Sequence, residues 1–310
     1  MSRDSPEQQR PEWQQRKERG STFLLKIMCR LSLLLGRRVS RVILYGIALY
    51  FTLAVSSARR ASRAYLARVL PRRVRWTDCY RHILAFSTTI HDRIYLLNGR
   101  YDLFDIRASG IEKLCALHAN HNGGLLFGAH LGSFEMLRSL ARDTDAPPVC
   151  IAMYADNARR INDALAAINP AVVQDIIPLG QMDSVLTIRD RIADGALVGI
   201  LADRASAPDS YLELPFLGAP ARFPTGPFRM AVMLQKPVWF MAGLYRGSNR
   251  YDVQFELLQD CMVAPAGNRE QAVRELLTKY VAALERHCRA APYNWFNFFD
   301  FWKNAGDETS

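Results

Sequence analysis

The residues best suited to chemistry stand together in Gly128-Ala129-His130-Leu131-Gly132-Ser133-Phe134-Glu135. Here a histidine leaves an apolar run and enters a glycine turn, with a carboxylate five positions on. If the run is a strand and Phe134 opens a helix, His130 and Glu135 can face each other across the turn. A carboxylate on one imidazole nitrogen fixes the tautomer, aims the other nitrogen outward and stabilises the imidazolium formed when the ring takes a proton. His130 is therefore the candidate general base and Glu135 its orienting partner. Gly132 would let a reacting carbonyl come close to the backbone, and the amides of Gly132 and Ser133 are candidate donors to a developing oxyanion. A histidine merely satisfied at a strand end fits the same spacing.

A second block, Leu201-Ala202-Asp203-Arg204, also ends an apolar run, and α/β proteins place working residues beyond the C-terminal ends of strands. Asp203 and Arg204 are candidate substrate-binding residues, the guanidinium being shaped to hold a phosphate or carboxylate with two hydrogen bonds. An internal ion pair or a helix-start contact is the plainer alternative. A third block runs from Phe216-Leu217-Gly218 to Arg222-Phe223-Pro224-Thr225-Gly226-Pro227. It is expected to be a loop bordering the pocket, with Thr225 and Gly226 against an acyl chain or head group, or else an ordinary turn. Two other chemistries are disfavoured. His118 and His121 lack a third metal ligand at suitable spacing, so no metal is expected. Ser133 has Glu135 where a nucleophile elbow needs its second glycine.

The elements that must position these residues follow from hydrophobic periodicity. Short apolar runs at Gly124–Ala129, Val149–Met153, Leu197–Ala202, Val238–Leu244 and Tyr251–Leu257 read as strands, punctuated by Gly195, Pro237 and Gly247. Helical spacing marks Trp76–Leu97, Phe134–Leu140, Ala158–Ile168 and a closing helix over Arg269–Arg289, which leads into an aromatic tail containing Trp295, Phe296, Phe299 and Trp302. Strands alternating with helices predict a layered α/β domain, assigned to residues 76–305.

Ahead of it come a polar leader, residues 1–20, and an apolar and basic helical segment, residues 21–75. Ser21 is the expected N-cap of a helix running to Leu35. The uncharged run Val42–Val55 would reach only about 21 Å as a helix, short of the roughly 30 Å hydrocarbon core. Arginines flank it on both sides, Arg37, Arg38 and Arg41 before and Arg59, Arg60 and Arg63 after, without the one-sided bias of a spanning helix. That pattern predicts a helix lying in or dipping into an anionic leaflet, or a buried hairpin helix with solvated arginines. The net charge of +10 accords with an anionic surface or acidic partner. Nucleic acid is not expected, because the arginines bracket an apolar run and do not alternate with stacking aromatics. The six cysteines form no CxxC pair and no cleavable signal is evident, so a cytoplasmic site is expected.

Taken together, these blocks resemble the HxxxxD/E motif and its surroundings in the lysophospholipid acyltransferase superfamily, most closely the lipid A acyltransferases of Gram-negative bacteria. The resemblance runs from about Leu24 to Trp302. It comprises the N-terminal apolar helix, Gly-Ala-His-Leu-Gly-Ser-Phe-Glu, Val-Gly-Ile-Leu-Ala-Asp-Arg, Leu-Pro-Phe-Leu-Gly, Phe-Pro-Thr-Gly-Pro and the aromatic end. It implies a mixed central sheet flanked by helices, as in glycerolipid acyltransferases, at the cytoplasmic face of a bacterial inner membrane. It also implies transfer of an acyl group from an acyl carrier protein or coenzyme A thioester to a hydroxyl or amine of a lipid or glycolipid, without cofactor or metal. On this match His130 is the base, Glu135 its partner, and Asp203 corresponds to an aspartate of the family. One departure concerns the acceptor: the family's tyrosine-arginine pair reads Tyr154-Ala155 here, leaving Arg159 or Arg160 as the candidate replacement. A hydrolase using the same histidine, or a non-catalytic lipid-binding protein, are the alternatives.

Overall fold

A computed structural model describes residues 22–119, 123–136, 147–154, 168–169, 176–180, 183–204, 210–260 and 268–302. Among the described residues three helices come first: α1 (Thr22–Ala54), α2 (Ser56–Val69) and α3 (Trp76–Leu97). Strand β1 (Asp105–Ser109), α4 (Ile111–Ala119), β2 (Gly124–Gly128), β3 (Val149–Tyr154), β4 (Ile176–Leu179), α5 (Ser184–Ala193) and β5 (Leu197–Leu201) follow. Next are β6 (Tyr211–Phe216), β7 (Ala219–Pro224), α6 (Gly226–Leu234), β8 (Val238–Gly247), β9 (Arg250–Gln259) and α7 (Arg269–Ala290).

Seven strands form one mixed sheet in the order β1-β9-β8-β2-β5-β3-β4, antiparallel only between β8 and β9. Strand β2 lies between β8 and β5, parallel to both. Every residue of β2 is buried, as expected for a strand covered on both faces. Leu125 and Phe127 pack with Val273, Leu277 and Tyr280 of α7, whereas Leu126 packs with Leu96 of α3, Leu114 of α4 and Met136. The fold is thus a mixed α/β sheet with helices on both faces, as expected.

Helix α3 has the predicted bounds for a local reason. Asp78 in its first turn accepts the Arg75 amide at 2.8 Å, as a capping carboxylate does. Its end meets Gly99 at φ 72°, a conformation glycine adopts readily. The segment before it breaks where expected: within α1 the helical backbone is interrupted at Gly36 (φ 75°, ψ 163°), so one helix ends at Leu35 and a second carries the apolar run. Among the described residues no single helix is long and apolar enough to cross a membrane; Ile27–Ala54 of α1 and Ser56–Val69 together pass that test but are bent by 93°. The leader, residues 1–20, lies outside the described residues.

The expected loop at 216–227 is a correction. Strands β6 and β7 form a separate antiparallel hairpin, closed by Leu217 and Gly218, both at positive φ. Two such residues make the tight turn whose twist suits paired strands. Pro215 and Pro220 obscured the strands in the sequence; in a two-stranded ribbon each has an unpaired edge that tolerates proline. The expected helix at Phe134–Leu140 is described only as a 3₁₀ turn, Phe134–Met136. The one expected at Ala158–Ile168 lies almost wholly outside the described residues.

Candidate active site

The register between β2 and β5 builds the site. Gly128 pairs with Leu201, and the Ala202 amide donates to the Gly128 carbonyl at 3.0 Å, so the ladder continues one step past the strands. The next residues are His130 and Asp203, side by side at the C-terminal edge. Asp203 Oδ1 lies 2.8 Å from His130 Nδ1, and Asp203 Oδ2 accepts the His130 amide at 3.1 Å.

Asp203 has 0% exposure, while the imidazole keeps 32%. Burial alone would raise the Asp203 pKa, but His130 and Arg204 outweigh it and lower the carboxyl to about 2. An ionised carboxylate can only accept, so Nδ1 carries the hydrogen and Nε2 keeps its lone pair. Burial, and then the charge of Arg204, lower the His130 pKa below 6.5 against the opposing pull of Asp203. The ring is therefore neutral at pH 7, and a neutral imidazole of this tautomer can take a proton at Nε2.

The expected partner is elsewhere. Glu135 is 3% exposed and forms an ion pair with Arg93 of α3 at 3.3 Å. It sits on a 3₁₀ turn, not on the α-helical first turn that would aim it back at His130, so the carboxylate on Nδ1 is that of Asp203. The assigned oxyanion donors are also corrected. The Gly132 amide donates to the Asn294 carbonyl and the Ser133 amide to the Gly243 carbonyl, each at 2.8 Å, so both are committed inside the protein. Gly132 (φ 69°) is required by close approach, but what approaches is β8: a Cβ there would collide with the carbonyl oxygen of Gly243.

Arg204 follows Asp203, and burial lowers its pKa to about 10. Its Nε donates to Asn297 Oδ1 at 2.8 Å and its Nη2 to the Phe296 carbonyl at 3.0 Å, with the guanidinium over the Phe299 ring. The fork expected to hold a substrate anion thus engages the C-terminal tail. Thr225 is buried with its hydroxyl 2.6 Å from Ser210 Oγ, while Gly226 is exposed at the start of α6. These contacts close the hairpin. Tyr154 is half-exposed at the end of β3. Ala155, Arg159, Arg160, His121 and the side chain of His118 lie outside the described residues.

The tail after α7 stands out in the sequence for its aromatics, and in the structure it supports the pair. Trp295 Nε1 donates to Asp203 Oδ2 at 3.0 Å, and the Phe296 amide donates to the His130 carbonyl at 2.7 Å. The Asn294 side chain brackets Tyr245 of β8, accepting from its amide at 2.7 Å and donating to its carbonyl at 3.1 Å. No local signal marks these partners, because they are set by where the chain returns after α7.

Residues 11–304 match the family of bacterial lipid A biosynthesis acyltransferases. The chain belongs to this family. Curated proteins, compared with the sequence, give no match. Membership makes the protein an acyltransferase of the lipid A biosynthesis type, with an acyl donor and a lipid acceptor, and the paired His130 and Asp203 are the residues in the described site equipped for proton transfer.

Proposed function

We propose that this acyltransferase moves a fatty acyl group directly from a thioester to a hydroxyl or amine of a lipid or glycolipid, with His130 as general base. His130 Nε2 takes the proton of the acceptor as its oxygen or nitrogen attacks the thioester carbonyl. As the tetrahedral intermediate collapses, the C–S bond breaks and the imidazolium returns that proton to the departing thiolate. Asp203 holds the tautomer and stabilises the transient imidazolium. The observation that carries this reading is the 2.8 Å contact between Asp203 Oδ1 and His130 Nδ1, at the ends of adjacent parallel strands, beside a partly exposed ring.

The donor is an acyl carrier protein or coenzyme A thioester; the excess of 40 basic over 30 acidic residues favours the acidic carrier protein. No bound cofactor or metal enters this mechanism. Residues 76–305 are read as the catalytic domain and residues 21–75 as the part that meets the inner membrane on its cytoplasmic side. The test is transfer of radiolabelled acyl chains from each donor into a bacterial lipid extract. His130→Ala and Asp203→Asn are expected to lower the rate by about 10³-fold or more. Label unaffected by either substitution would move the chemistry elsewhere, and label released only as free fatty acid would make the enzyme a hydrolase.

A further inference from the structure

Among the described residues, Asp203 receives three hydrogen bonds from two residues. Oδ1 faces His130 Nδ1, and Oδ2 takes both the His130 amide and the indole N–H of Trp295. Trp295 is 0% exposed. Its ring is walled by Tyr65 at 5.0 Å, Phe216 at 5.3 Å and Phe301 at 4.8 Å between centroids. Its backbone is pinned as well: it bridges to Leu131, and its carbonyl lies 2.8 Å from His82 Nε2. Burial lowers the His82 pKa to about 4, so that ring is neutral and donates from Nε2. An indole N–H can only donate and here cannot turn, so its direction is fixed by four elements, α2, α3, β6 and the tail.

We propose that Trp295 is a positioning residue of the transfer reaction: its indole N–H fixes Asp203 so that Oδ1 meets Nδ1 of His130, and it restrains the basicity of the pair. The proposal rests on reading the pair as the catalytic base. A carboxylate that loses a donor becomes a better acceptor, so removing the indole N–H stabilises the imidazolium and raises the His130 pKa. Among the described residues, Arg204 beside it and Tyr280 and Cys288 of α7 also feel Asp203, and all are left in place by the substitution.

The experiment compares Trp295→Phe with Trp302→Phe. Trp302 belongs to the same aromatic cluster, 6.1 Å from the Trp295 ring, but its N–H points to the Phe216 carbonyl. The His130 imidazole is titrated by ¹⁵N NMR in the full-length enzyme, assigned by the signal lost in His130→Ala, alongside the pH profile of kcat. In Trp295→Phe the His130 titration and the acid limb of kcat are expected to move together to higher pH. The plateau kcat is expected to fall roughly 10- to 100-fold, the range of one hydrogen bond to a charged group, while KM changes little. Trp302→Phe is expected to leave the titration in place. If Trp295→Phe does not fold, benzothienylalanine at position 295 keeps the ring size without the N–H and is read in the same way. A His130 titration unmoved in the folded variant overturns the proposal. Turnover that survives His130→Ala overturns the proposed function and with it the role of Trp295 in the reaction, while a titration still shifted in Trp295→Phe shows only that the indole N–H sets the basicity of the pair.

Discussion

For the proposed mechanism, the question at His130 at pH 7 is one of protonation. Its pKa is lowered by burial and by Arg204, and Asp203 stays ionised down to about pH 2. A group held below its ordinary 6.5 is neutral, and able to accept a proton, throughout the physiological range. The rate should therefore be flat from about pH 7 to 8 and fall on the acid side with a midpoint below 6.5. A pH–rate profile of kcat/KM checks this, and a midpoint above 6.5 would contradict the assigned environment. Glu135 acts differently, by tying the turn after His130 to Arg93. Glu135→Gln should reduce stability by about 1–3 kcal/mol, less than the roughly 3–5 of a fully buried pair because Arg93 is partly exposed. Any accompanying loss of rate should leave the acid limb unmoved, in contrast to substitutions that touch Asp203. Chemical denaturation and the same pH profile separate the two effects.

At the scale of elements, α1 is attached by charge to α3 and to the β8–β9 turn. The break at Gly36 turns Arg37 inward, where Nε and Nη2 meet the two oxygens of buried Asp92 on α3 at 2.7 and 2.8 Å. Tyr251 of β9 adds its hydroxyl to Asp92 at 2.7 Å, and Arg37 Nη2 reaches the Ser248 carbonyl at 2.7 Å. Arg41, one turn on, donates to the Tyr245 hydroxyl and to the same Ser248 carbonyl. Because Arg37 and Asp92 are both removed from water, losing one charge strands the other. Asp92→Asn should cost about 3–5 kcal/mol, seen as a lower midpoint of chemical denaturation. A loss under about 1 kcal/mol would mean that packing alone attaches α1. Through Tyr245, which the Asn294 side chain brackets, this attachment is continuous with the tail that supports the His130 turn.

For the molecule as a whole, the remaining question is what covers the outer face of α1. Leu34 is 82% exposed, and Val42, Ile43, Tyr50, Phe51 and Leu53 are exposed as well. An apolar face of this extent marks an interaction surface, and α2 continues it with the exposed arginines Arg60, Arg63 and Arg68. On the proposed reading of this segment as the part that meets the membrane, apolar burial and arginine attraction to anionic lipid act together. The full-length protein should sediment with phosphatidylglycerol vesicles more strongly than with phosphatidylcholine vesicles. Val42→Glu with Leu53→Glu should weaken that binding at least about 10-fold, and raised salt should weaken it only in part. Binding equal for both vesicle types and unchanged by the glutamates would leave the face for another partner.

The sequence by itself determined the elements whose patterns are local: the strands carrying the site, the bounds of α3, the closing helix, and His130 at a strand end. Apolar runs and caps are written in neighbouring residues, and the family motifs around His130 and Asp203 are contiguous, so they are legible without a fold. The polar edge strand β1, short β4 and the proline-bearing hairpin β6–β7 were hidden, because their pairing comes from distant segments and not from their own periodicity. The tertiary structure alone decided which carboxylate serves His130. Glu135 is near in sequence but held by Arg93, whereas Asp203 is 73 positions away and is brought alongside by the β2–β5 register. The two runs even end alike, Gly128-Ala129-His130 and Leu201-Ala202-Asp203, but only parallel pairing in register gives that likeness a meaning. The same holds for Gly132 and Ser133, whose amides are spent on Asn294 and Gly243, and for Trp295, which reaches Asp203 only because the chain returns across the sheet edge after α7.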